Sequence, residues 1–98
     1  MGDHIHTAKL ITILSVEEGL KTELAHSIIV RASLENRLLR KEDTIAVLNI
    51  VGTTSYQVFF IDDMDSLEVI KSELDKMGVL LNYDSERILQ GYIQRKMK

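Results

Sequence analysis

At 98 residues, with 45% hydrophobic and 28% charged side chains, the chain predicts a single domain over residues 1–98. Its core is modest, yet the length is well above the ~40 residues below which disulfides or metals are usually needed. It has no cysteine, which excludes disulfides, thiolate catalysis, iron–sulfur ligation and every cysteine-based zinc motif, and a net charge of −3 gives no general attraction to a phosphate backbone.

Residues 7–14, rich in Ile, Leu and Thr, predict a strand that ends at Ser15. Ser15 with Glu18 forms a capping box that opens a helix at Val16. Val16, Leu20, Leu24, Ile28, Ala32, Leu34, Leu38 and Leu39 share about half of a helical circumference, so one long helix, straight or bent, is expected to run to Arg40 and Lys41. Ala25, Ile29 and Val30 lie off that stripe. A second reading therefore breaks the helix near His26, makes 27–32 a short strand and restarts a helix after Ser33.

The stretch that follows is the most informative. Apolar runs 45–51 and 56–61, joined by Gly52-Thr53-Thr54-Ser55, predict a β-hairpin. Half-buried strands alternate apolar and polar residues, but here Ile45, Val47 and Val51 occupy one side while Ala46, Leu48 and Ile50 occupy the other. Both faces of the hairpin need cover. Asp65 with Glu68 then predicts a capped helix carrying Leu67, Ile70, Leu74 and Met77 and ending at Gly78. A short strand over 79–83 follows, and a last helix opened by Asp84 or Ser85 has Ile88, Leu89, Tyr92 and Ile93 as its apolar side.

The order strand-helix-strand-strand-helix-strand predicts an α+β fold, a ferredoxin-like split βαβ sandwich with an extra C-terminal helix. The alternative is a winged-helix variant. A ferredoxin-like sheet carries its helices on one face, so the other would expose five or six large side chains at roughly 1.5–3 kcal/mol each, comparable with the net stability of a small domain. Cover must come from the C-terminal helix, a second copy of the chain or another protein.

Candidate chemistry is sparse. His4 and His6 share one side of an extended segment and His26 offers a third imidazole, but they lack neighbouring ligands at fixed spacing. Asp62, Asp63 and Asp65 cluster where a strand gives way to a helix, a position where acidic side chains can hold Mg²⁺ or Ca²⁺, but helix-end electrostatics accounts for Asp65 fully and Asp63 partly, and the spacing of an EF-hand loop is lacking. Gly52 has no following Lys or helix and marks a turn rather than a phosphate loop. Arg31, Arg37, Arg40 and Lys41 could share one helix surface and Arg95, Lys96 and Lys98 crowd the C-terminus, which is the basis for a nucleic-acid alternative with Thr53 and Thr54 as a wing tip. No residues are arranged as a nucleophile with its base.

The reading is therefore a small non-enzymatic protein-interaction or regulatory module, without cofactor or metal, acting as a homodimer or with a protein partner through an apolar sheet face. The alternatives are a nucleic-acid-binding, winged-helix-like regulator and a small metal-dependent enzyme using His4, His6 or the acidic cluster of Asp62, Asp63 and Asp65. The contact residues expected are Val47, Val51, Tyr56, Val58, Phe60, Tyr92 and Ile93. No apolar run approaches the ~20 residues that span a bilayer, and the N-terminus lacks a basic segment followed by an apolar one, so a soluble, cytoplasmic location is expected.

Overall fold

A computed structural model describes residues 6–96. The elements are β1 (His6–Ser15), α1 (Val16–Gly19), α2 (Ala25–Leu34), β2 (Thr44–Ile50), β3 (Tyr56–Phe60), α3 (Ser66–Lys76), β4 (Val79–Leu81) and α4 (Tyr83–Lys96). The mixed α+β character, the hairpin and the terminal helix match the reading of the sequence.

The long first helix does not form. Ser15 caps α1 by accepting from Glu18 N–H at 3.1 Å, but the helix stops after one turn because Thr22 Oγ1 donates to Gly19 O at 2.7 Å and accepts from Leu24 N–H at 3.0 Å. A hydroxyl that serves the local backbone in this way competes with the helical ladder. Residues 27–32, the alternative strand, are helical, and α2 gives way at Glu35 and Asn36, the latter in the left-handed region at φ 52°. Other caps also differ from expectation. Asp65 makes no side-chain cap bond; Ser66 Oγ instead accepts from the amides of Asp62 and Asp63 at 2.8 and 3.2 Å. Asn82, rather than Asp84 or Ser85, starts α4 by accepting from Ser85 N–H at 3.0 Å. Gly78 has the expected left-handed φ, 73°.

The sheet order is β3-β2-β1-β4, with β1 antiparallel to β2, β2 antiparallel to β3 and β1 parallel to β4. This is not a ferredoxin-like sheet, in which both strand-helix-strand passages would be crossovers. Only the second passage, β3-α3-β4, joins strands of like direction. The first is a return, because two short helices at an angle bring the chain back to where it left: Val16 N–H donates to Asp43 O at 2.8 Å. The winged-helix alternative needs three helices before the hairpin, whereas the described residues there hold the single turn of α1 and α2.

The sheet is covered on both faces. On one, Ala8, Ala46, Leu48 and Phe59 pack with Leu67, Ile70 and Leu74 of α3 and with Leu89 and Ile93 of α4. On the other, Ile45, Val47, Val58 and Phe60 pack with Ile28 and Ala32 of α2 and Val16 of α1. The two-sided hairpin thus receives its cover from the same chain, with α2 supplying what the sequence left open.

Candidate functional site

Cover from α2 redistributes the expected contact residues. Val47, Val58, Phe60 and Ile93 are buried in the chain's own core, and Tyr92 is packed against it. Val51 and Tyr56 remain exposed, at 49% and 41%. A contact through the bare sheet face is therefore not available in this fold, and the accessible apolar surface lies elsewhere.

It lies on α2. Ile28 and Ala32, four residues apart, turn inward, and the outer surface then carries Ile29, Val30 and Leu34, exposed at 49%, 41% and 71%, followed by Leu38 at 78%. Within Ala25–Leu34 (AHSIIVRASL) the only formal charge is Arg31. Surface helices ordinarily place charged and polar groups opposite their buried stripe. The off-stripe positions of Ile29 and Val30 are the signal in the sequence for a helix apolar on more than one side; Leu34 and Leu38, which the helical stripe places inward, are exposed.

Arg31 extends from α2 around the edge of the sheet. Its Nε donates to Val58 O at 3.0 Å, its guanidinium carbon stands 4.6 Å from the centroid of the Phe59 ring, and Nη1 lies 3.9 Å from both Glu35 and Glu73. Between α2 and this edge runs a groove of about 260 Å³, whose lining includes Ser27, Val30, Leu34 and Tyr56. Arg37 binds Asp62 through both terminal nitrogens, with Nη1 3.0 Å from Oδ1, approaches Glu35 and Asp43 at 3.3 and 3.8 Å, and stacks 4.1 Å from the Phe60 centroid. The hydrogen bond to Asp62 is the main cause of a pKa raised above the ordinary arginine value. Two of the four basic residues expected on one surface are thus engaged within the chain, while Arg40 and Lys41 are exposed. At the other end, Lys96 Nζ donates to Ile61 O at 2.9 Å.

His4 lies outside the described residues, as does Lys98; His6 and His26 are exposed. Among the described residues no group of three His, Cys, Asp or Glu side chains is placed to hold a metal ion. Asp63 Oδ1 accepts from Asp65 N–H at 2.9 Å, so this part of the acidic cluster shapes the turn into α3. No helix among the described residues is long and apolar enough to cross a membrane.

Residues 6–93 match the family model described as a domain of unknown function, DUF749. The chain belongs to this family. It is also similar to an uncharacterized protein of Methanocaldococcus jannaschii, 49% identical over 88 residues that make up 90% of this chain and 78% of that protein. No solved structure matches it.

Proposed function

We propose that the protein is a small, cytoplasmic, non-enzymatic interaction or regulatory module that works as a homodimer, with the outer side of α2 as its contact surface. The observation that carries this reading is the exposure of Ile29, Val30 and Leu34 on a helix with a single charge, and of Leu38 just beyond its end. At ~1.5–3 kcal/mol per fully buried side chain, covering the exposed fractions of these residues on two copies contributes about 7–14 kcal/mol. Association costs about 4–15 kcal/mol in lost freedom, so the dimer forms in a concentration-dependent way. An isologous contact meets the same patch on its partner, and α2 against α2 in antiparallel sense also sets the two helix dipoles in opposition.

Sedimentation velocity over about a hundredfold range of concentration tests the reading. The wild-type chain should move from monomer towards dimer, and Leu38→Asp, which alters an exposed side chain outside the core, should remain monomeric with unchanged circular dichroism. A wild-type chain that sediments as a monomer throughout would overturn it. Arg31 and Arg37 are already bound within the chain, so no observation favours the nucleic-acid alternative.

A further inference from the structure

Arg31 is held at one end of its guanidinium and open at the other. The Nε bond to Val58 O at 3.0 Å and the Phe59 ring, with its centroid 4.6 Å from the guanidinium carbon, set the plane of the group. Its side chain is only 13% exposed, yet the terminal nitrogens make no hydrogen bond to another described residue. Glu35 and Glu73 stand 3.9 Å from Nη1, near enough to balance charge and too far to accept a hydrogen bond. Among the described residues no side-chain nitrogen or oxygen is both buried and unpaired, so these nitrogens are open to solvent.

Four more polar side chains join Arg31 in lining the groove of about 260 Å³ between α2 and β3: His26, Ser27, Tyr56 and Gln57. None of the four is hydrogen-bonded to another described residue through its side chain. Ser27, Val30, Arg31 and Leu34 recur at helical spacing, so one side of α2 presents a hydroxyl, a cation and an apolar wall together. The lining contains no carboxylate.

From this arrangement we infer that the groove binds a small monocarboxylate with an apolar body, and that Arg31 receives the carboxylate. A planar guanidinium matches a carboxylate in two parallel N–H···O bonds, which supplies the acceptors that the terminal nitrogens lack. One cation with two acidic neighbours suits a single negative charge; a dianion would meet Glu35 and Glu73 with twice the repulsion. His26, Ser27 and Gln57 offer further donors, while Val30, Leu34 and the Tyr56 ring cover the apolar part. A mostly apolar wall with a few convergent polar groups is the usual make-up of a small-molecule site. This site does not require the homodimer, although Val30 and Leu34 belong to both surfaces.

The test is an NMR titration, read on backbone amides, with three ligands that share one ring: benzoate, uncharged benzamide and phenyl phosphate, which is a dianion at about pH 8. Running it on Leu38→Asp, with self-association of the wild type followed separately by sedimentation, keeps failure of this site distinct from failure of the homodimer. Benzoate should saturate in the millimolar range and shift the amides of His26, Ser27 and Gln57. Benzamide and phenyl phosphate should each bind about tenfold more weakly or worse. Arg31→Lys keeps the charge but loses the two-point geometry, and should weaken benzoate about tenfold; Tyr56→Ala, at an exposed position, should weaken it by removing part of the apolar wall. No saturable shift at about 100 mM benzoate, equal binding of benzamide, tighter binding of phenyl phosphate or shifts confined to residues outside the groove would each overturn the proposal. Should Arg31→Lys fail to fold, the three ligands and Tyr56→Ala decide the matter alone.

Discussion

Leu10 N–H donates to Ser85 Oγ at 2.8 Å, a bond between residues 75 apart in sequence that ties the first strand to the last helix. Its origin is the brevity of β4. That strand pairs with β1 over His6, Thr7 and Ala8 only, and Asn82 N–H extends the ladder to Ala8 O at 2.8 Å. The next donor on that side of β1 is Leu10, beside the register shift between Leu10 and Thr12. A buried amide must find a partner, and the Ser85 hydroxyl, 3% exposed, takes the place of a strand residue. Ser85→Ala should destabilise the fold by about 1–3 kcal/mol, the cost of an unpaired buried donor. Urea denaturation should show a lower midpoint at unchanged slope; an unaltered midpoint would mean that water satisfies Leu10 equally well.

A methyl group on Gly19 would stand 2.6 Å from Ile28 Cδ1, 3.1 Å from Leu14 Cδ1 and 3.2 Å from Ile45 Cδ1. Gly19 is thus where α1 meets α2 and the sheet, and its lack of a side chain permits the close return that makes β1 and β2 neighbours. Gly19→Ala should cost about 1–3 kcal/mol through overpacking. Because the nearest obstacle is the end of one side chain, Ile28→Val should recover part of the loss, and a double-mutant cycle should report favourable coupling. Additive effects of the two substitutions would rule out this contact as the cause.

The hairpin was legible because the runs ending at Val51 and beginning at Tyr56 are apolar on both sides, a pattern that a strand covered on both faces explains. What covered it was not legible. Ile29 and Val30 lie off the inward stripe of α2, so no single helical face stood out, and the hydroxyl of Thr22 ends α1 through two local bonds that hydrophobic spacing does not record. Strand order followed from the same event, since a long helix would have crossed the sheet whereas the broken one returns Asp43 to Val16. The helix starts were not fully legible either: Asp65 makes no cap bond, the Ser66 hydroxyl serving the amides of Asp62 and Asp63 ahead of α3, and Asn82, two residues before Asp84, takes the amide of Ser85.

Two further glycines should respond in opposite directions. Gly78 has φ 73° and nothing within 4 Å of where an added methyl would stand, so Gly78→Ala meets no contact but incurs the left-handed strain of an L-residue, about 1–2 kcal/mol. Gly91 lies inside α4 with helical neighbours, and the nearest atom to an added methyl is the flexible Nη1 of Arg95 at 3.3 Å. Gly91→Ala should raise stability by about 0.5–1 kcal/mol by removing backbone freedom from the unfolded chain. Thermal melts of the two variants should therefore shift to opposite sides of the wild type; a shift in the same direction would contradict the backbone argument.

Arg37 and Lys71 form ion pairs of different weight. Lys71 Nζ meets Glu86 at 3.0 Å with its side chain 42% exposed, and such surface pairs contribute about 0–1 kcal/mol, so Lys71→Met should change the denaturation midpoint little. Arg37 is 23% exposed, stacks on Phe60 and bonds to Asp62, and Arg37→Met should cost about 1–3 kcal/mol. The hydrogen bond to Asp62 raises the Arg37 pKa above the ordinary arginine value. A group whose folded pKa is raised contributes stability that is complete below its unfolded value and is lost only as pH rises through the folded one. The difference between wild type and Arg37→Met should consequently be the same at about pH 7 and about pH 10, as read from urea midpoints. A difference that shrinks by the higher pH would place the loss of charge inside that window and contradict the raised pKa.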